Sequence, residues 1–213
     1  AYKNREQQRW YAGETISIAV GQGYNSFTLM QLAQATAVLA NDGLYMKPHL
    51  VRTIKNARTD EQIQTVAEAA HKIPFKKENL QVIKRAMTEV TVSGTAAGAF
   101  VGAPYTTAGK TGTAQVYSLR GAKYQSSAID ERLRDHSLFM AFAPASQPKI
   151  AIAVIVENAG WGGSVAAPIV RKVFDAWLLR EAKPLPNTTP PLRRTEAVVP
   201  EAPRVSAAPR AAP

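Results

Sequence analysis

The strongest constraint on the fold lies between Tyr105 and Glu157, where three β-rich runs follow one another at 105–117, 137–142 and 150–157, the last carrying Ile150-Ala-Ile-Ala-Val-Ile-Val156. Short connections between such runs favour antiparallel pairing. After Gly160-Trp161-Gly162-Gly163 a helix is predicted to begin near Ser164, which reads as its cap. Pro168 is tolerable in its first turn, and Ile169, Val173, Phe174, Trp177 and Leu178 are expected on one face, packed on the sheet. The fold class expected is α+β, an antiparallel β-sheet covered by helices.

The residues before the sheet add helices. Thr28 and Gln31 form a capping-box pattern, and Leu29, Leu32, Ala33, Thr36, Leu39 and Ala40 recur at helical spacing until Asn41-Asp42-Gly43. Glu78 to Val92 is helical by the same test, through Leu80, Ile83, Ala86, Met87 and Val90, and Ser93-Gly94-Thr95 breaks it. Glu14 to Val20 alternates polar and apolar residues before Gly21-Gln22-Gly23, which predicts a short extended segment, and His49 to Lys55 predicts a short strand. From Lys183 the composition turns to Pro, Ala and Arg, with eight of the fourteen prolines in 184–213. A globular body over 1–182 and a disordered tail over 183–213 are therefore expected.

Composition narrows the chemistry. With no Cys, disulfides and thiolate catalysis are excluded. His49, His71 and His136 are too dispersed for an obvious metal set, so no metal is expected. The formal charge of +10 is spread over separate pairs such as Lys76-Lys77, Lys84-Arg85 and Arg193-Arg194, which reads as a solvated basic surface and not a nucleic-acid site. No apolar run is long enough for a membrane span. Asp135-His136-Ser137 cannot act as a triad, because neighbours on a strand point to opposite faces. Ser164 fails the nucleophile-elbow pattern, since Ala166 stands where Gly is needed.

The most suggestive chemistry lies in Ala108-Gly109-Lys110-Thr111-Gly112-Thr113-Ala114-Gln115-Val116. A phosphate loop ending in Gly109-Lys110-Thr111 needs a Gly at position 104, where Pro104 supplies neither flexibility nor an N–H. The alternative is K-T-G of the serine acyl-enzymes that handle penicillins. On a strand edge, Lys110 offers a positive charge and Thr111 a hydroxyl to a substrate carboxylate. Gly112 admits the substrate backbone closely, and the Thr113 N–H can face a developing oxyanion. The candidate catalytic residues are thus Lys110 and Thr113, with Lys110, Thr111, Gly112 and Thr113 binding substrate.

Gly13-Glu-Thr-Ile-Ser-Ile-Ala-Val-Gly-Gln-Gly-Tyr24, the Leu29–Asn41 helix with Asp42-Gly43, Lys110-Thr-Gly-Thr-Ala-Gln115, and Glu131-Arg-Leu-Arg-Asp-His-Ser137 with Phe142-Ala-Pro144 occur in one order. Together they resemble the class B penicillin-binding proteins over nearly the whole body, and Glu131–His136 looks most like the elongation members that maintain rod shape. The resemblance implies a partial penicillin-binding, serine β-lactamase-like transpeptidase fold. It also implies a D,D-transpeptidase that cross-links peptidoglycan stem peptides without a cofactor and is trapped by β-lactams. The implied partners are stem peptides, a RodA-type glycosyltransferase and the elongation machinery. The implied location is the periplasmic face of the bacterial inner membrane, through an upstream anchor.

In that family a serine in S-x-x-K and an S-x-N motif precede the matched segment. Both are expected to be missing: Ser17 is followed by Val20, Ser26 by Leu29, Ser93 by Ala96 and Ser164 by Ala167, and no S-x-N occurs. Truncation is the expected reason, and the chain alone is expected to be inactive. The alternatives left open are a septal transpeptidase, a serine β-lactamase fragment, and a non-enzymatic β-lactam sensor or structural module.

Overall fold

The computed structural model describes residues 10–116 and 129–180. The predicted tail at 183–213 lies outside the described residues, as does Tyr117 at the end of the first predicted strand. Helices α1 (Ala12–Ala19) and α2 (Leu29–Ala40) come first. Short strands β1 (Leu44–Met46), β2 (Thr53–Lys55), β3 (Gln62–Gln64) and β4 (Ala69–Lys72) follow, then α3 (Lys77–Val92) and α4 (Ala97–Phe100). Strands β5 (Ala108–Ala114), β6 (His136–Ala143) and β7 (Ile150–Val156) and helix α5 (Ala166–Leu178) complete the order.

The three late strands form one antiparallel sheet in the order β5-β6-β7. Its register places Lys110 opposite Met140, Thr111 opposite Phe139, Gly112 opposite Leu138 and Thr113 opposite Ser137. Period-2 alternation then splits β6 between two cores. Phe139, Ala141 and Ala143 pack with Ala166, Ala167, Val170 and Phe174 of α5 and with Phe100 of α4. On the other face Phe142 packs with Ala108, Ala40 of α2 and Met87 of α3. The sheet is thus covered by helices on both sides. Phe139, Phe142 and Phe174 are each at most 1% exposed, and burying each contributes about 1.5–3 kcal/mol.

Helix α2 starts as its sequence dictates. The Gln31 N–H donates to Thr28 Oγ1 at 3.2 Å and the Thr28 N–H to Gln31 Oε1 at 2.8 Å. Three expectations are corrected. First, Glu14 to Ala19 is helical and not extended, with Val20 as the C-cap: the Glu14 carboxylate accepts the Tyr11 N–H at 2.9 Å, and Ile16 and Val20 are exposed, so their alternation marks no sheet face. Second, the buried stripe of α5 is Ala166, Ala167, Val170 and Phe174, whereas Ile169, Val173 and Trp177 remain exposed. Small side chains let the helix lie close to the sheet, which turned its contact face. Third, Ser164 does not cap α5. Its Oγ donates to the Trp161 carbonyl at 3.3 Å, and the Ala166 N–H donates instead to Ser137 Oγ on β6 at 3.2 Å.

The predicted strand at His49–Lys55 shrinks to Thr53–Lys55, which pairs with β3 in a hairpin, while β1 pairs with β4. Among the described residues no helix is long and apolar enough to cross a membrane.

Candidate active site

The motif strand β5 is an end strand of its sheet. In an antiparallel pair, alternate residues exchange both backbone bonds with the neighbour, and the residues between turn both groups outward. Thr111 and Thr113 are the outward residues, because their carbonyls are engaged from outside the ladder. Lys110 Nζ donates to Thr111 O at 2.8 Å, and Gln22 Nε2 donates to Thr113 O at 3.0 Å. Their N–H groups therefore face the same open edge. With both carbonyls already accepting from side chains, these outward N–H groups are the donors that the edge offers to an extended peptide.

The side chains on β5 divide by alternation. Lys110 lies on the face shared with Met140 and is exposed, whereas Thr111 and Thr113 share the α5 face with Phe139 and Ser137. Thr111 Oγ1 is 3.1 Å from Thr95 Oγ1, whose residue follows the break after α3. A cavity of about 440 Å³ opens beside Thr111, Gly112 and Thr113, walled opposite by Thr95 and by Trp161 to Ser164.

That opposite wall is the β7–α5 connection, held very close. A Cβ on Gly162 would stand 2.3 Å from Leu138 O and 2.6 Å from Gly112 O, and one on Gly163 would stand 2.3 Å from Thr95 O. Gly162 lies on bare backbone, over the Gly112–Leu138 cross-strand pair, in which Gly112 has no side chain and Leu138 points to the other face. Ser137, fully buried, donates its Oγ to the Trp161 carbonyl at 3.1 Å. The loop is thereby fixed while the Trp161 ring stays 72% exposed at the cavity mouth.

Lys110, Thr111, Gly112 and Thr113 stand consecutively on the end strand β5. Gln22, Thr95 and the Trp161–Ser164 loop join them; the sequence reading gave these turn, helix-break and cap roles but none in the site. A Trp set among glycines signals close backbone approach, but the contacts of Gln22 and Thr95 with β5 are long-range and leave no local mark. His136 Nδ1 accepts the Asn158 N–H at 2.9 Å while Ser137 is buried on the opposite face, which agrees with rejecting the Asp135-His136-Ser137 triad. Among the described residues no cluster of His, Asp and Glu could hold a metal.

One correction concerns the nucleophile. Contrary to the expected absence of S-x-x-K, Ser146-Gln147-Pro148-Lys149 has that spacing. It lies in the β6–β7 connection, in bends and not a helix, with both residues exposed. The helical turn that sets the lysine beside the serine is missing there. The connection follows Ala143, six residues along β6 from Ser137, the partner of Thr113. At about 3.3 Å per residue that is on the order of 20 Å away.

Behind the site, Tyr105, Arg171 and Asp175 form a polar cluster against α5. The Tyr105 hydroxyl donates to Asp175 Oδ1 at 2.6 Å, and Arg171 Nε reaches both Asp175 oxygens at 2.8 Å. Burial, then the hydrogen bond to the Asp175 carboxylate, pushes the Tyr105 hydroxyl pKa well above its ordinary value. Burial pushes the Asp175 carboxyl upward, but the Tyr105 hydroxyl and the Arg171 guanidinium together outweigh it and hold it below the usual carboxylate range.

The sequence matches the penicillin binding protein transpeptidase domain over residues 2–175. It is 46% identical over 182 residues to the peptidoglycan D,D-transpeptidase MrdA of Acinetobacter baumannii, covering 83% of this chain and 26% of that protein. The chain thus spans about a quarter of that relative's length. Among solved structures, Pseudomonas aeruginosa PBP2 in complex with WCK 5153 matches at a TM-score of 0.66 and 40% identity, over 83% of this chain and 35% of that one. The Helicobacter pylori PBP2 complex with MreC matches at a TM-score of 0.62 and 28% identity, over 83% of this chain and 29% of that one.

Proposed function

Because this chain belongs to the penicillin-binding protein transpeptidase domain family, we propose that the open edge of β5 is one wall of a D,D-transpeptidase active site whose serine nucleophile lies outside this sequence. The observation that carries the proposal is the edge itself, with an exposed ammonium at Lys110 and outward backbone groups at Thr111 and Thr113 on one strand.

The stem peptide lies extended along β5. Lys110 and Thr111 leave opposite faces of β5, but Lys110 Nζ curls over the edge to Thr111 O, so ammonium and hydroxyl take the terminal carboxylate from the two sides of that edge, and the missing side chain of Gly112 lets the peptide backbone approach. The serine oxygen bonds to the penultimate D-Ala carbonyl carbon, and the charge that collects on the carbonyl oxygen is stabilised by the Thr113 N–H. The peptide bond breaks, D-Ala leaves with a proton, and an acyl ester remains. An amine of a neighbouring strand attacks that ester, forms the new amide and frees the serine. A β-lactam opens onto the same serine and keeps it acylated.

The similarity to MrdA and PBP2 supports an elongation role in peptidoglycan synthesis and cell shape. Action at the periplasmic face of the inner membrane, beside a RodA-type glycosyltransferase, belongs to the same proposal. The test is labelling by a fluorescent penicillin. The full-length protein becomes stably labelled, while the present chain alone does not, and Ser146→Ala leaves labelling of the full-length protein unchanged. Stable labelling of the chain alone contradicts the proposal. Rapid turnover of the acyl group by the full-length protein favours a β-lactamase instead.

A further inference from the structure

Gln22 is the middle residue of a turn in which Gly21 and Gly23 both hold left-handed backbone, with φ of 82° and 70°, a conformation that favours glycine. The Gln22 N–H donates back to Ser17 O at 2.9 Å. Asn25 Nδ2 donates to both Gln22 O, at 3.2 Å, and Ile18 O, at 3.1 Å. The turn is thus tied at both ends to α1 and its exit. From it the half-buried Gln22 carboxamide reaches Thr113 O at 3.0 Å, across 91 residues of chain.

The position it reaches is the weak point of the edge. Thr113 is the second-to-last residue of β5, and among the described residues no strand pairs with its outward peptide groups. A peptide plane held from one side only can rock about the strand axis, which would swing its N–H away from a fixed target. The Thr113 N–H and C=O belong to adjacent peptide planes that meet at the Thr113 Cα and point to the same side of the strand, so a donor fixed on the carbonyl limits rotation at that Cα and with it the swing of the N–H.

We infer that Gln22 is a positioning residue of the active site, stiffening the end of β5 through the Thr113 carbonyl so that the Thr113 N–H stays aimed at the developing oxyanion. The inference rests on the reading of β5 given above. Gln22 touches no reacting atom and acts through Thr113, so its loss falls on the acylation step and not on initial binding.

Rapid-mixing acylation of the full-length protein by a penicillin separates the two, giving a dissociation constant for the first complex and a limiting acylation rate. Gln22→Met keeps the length of the side chain and removes the donor, and Gln22→Ala removes both. Both variants are expected to lower the limiting rate about tenfold, on the scale of one hydrogen bond, with the dissociation constant within about twofold of wild type. A wild-type limiting rate in Gln22→Met, or an effect confined to the dissociation constant, overturns the inference. Should Gln22→Met fail to fold, Gln22→Glu, equally long and without a donor at neutral pH, takes its place with the same expected outcomes. Lys110→Ala in the same assay separates the two levels of the argument. If Lys110→Ala leaves acylation unchanged, the reading of β5 falls and Gln22 with it. If Lys110→Ala slows acylation while the Gln22 variants do not, only the role of Gln22 is wrong.

Discussion

At the scale of single residues, the Tyr105–Arg171–Asp175 cluster makes the clearest statement about stability. Asp175 holds two partners with charge-assisted bonds, and Asp175→Ala removes both. The expected loss is about 2 kcal/mol in chemical denaturation, because the group is partly open to solvent and its gain is correspondingly screened. The pH dependence follows with opposite signs for the two groups. The lowered carboxyl of Asp175 stabilises the fold above about pH 4, and that contribution fades as the pH falls through its depressed value. The raised hydroxyl of Tyr105 stabilises the fold below about pH 10, and its contribution is lost as the pH rises towards its elevated value. Denaturation of Tyr105→Phe across the alkaline range should therefore lack the decline seen in wild type. Residue-scale legibility was uneven in the sequence. Lys110 to Thr113 could be read because cation, hydroxyl and glycine stand side by side. The contact of Gln22 with β5 could not, since it is set by tertiary pairing. Ser137 accepts the α5 N–H bond expected of Ser164, because proximity in the chain favoured Ser164 and proximity in space favoured Ser137.

At the scale of elements, two substitutions test how the site is framed. Phe174→Ala removes a fully buried ring from the α5–sheet core, and about 3–5 kcal/mol of stability should go with it, measurable by urea unfolding. Gly162→Ala forces a methyl against Leu138 O and Gly112 O. The loop must lift off β5, with a loss of about 1–3 kcal/mol and slower acylation in the full-length protein. An unchanged melting temperature and rate would show that the loop does not brace the strand. The sheet and α2 were legible because β-branched runs and a capping box are local signals that the tertiary structure did not override. α1 was misread because seven alternating residues fit a strand, while the contact that decides, Tyr11 N–H to Glu14, favours a helix. Of the β2–β3 hairpin, β2 was read within a longer strand but β3 escaped, because its three residues are all exposed and carry no buried face to leave a pattern.

At the scale of the whole molecule, two helical layers among the described residues enclose a three-stranded sheet in which β5 is an end strand, and the chain spans about a quarter of its MrdA relative. Trp10, Tyr24, Phe27 and Met30 around α1 and the start of α2 are all more than half exposed. The central claim is that the β5 edge, through Lys110, binds the carboxylate of the acylating ligand. The most direct measurement is the acylation rate of the full-length protein by a penicillin, compared between Lys110→Ala and Lys76→Ala, the latter an exposed lysine at the start of α3. Lys110→Ala should lose about 2–4 kcal/mol of transition-state stabilisation, a fall in rate of thirtyfold or more, while Lys76→Ala stays near the wild-type rate. Equal rates for the two variants, whether both slowed or both unchanged, would contradict the assignment of Lys110 and of the β5 edge to the active site.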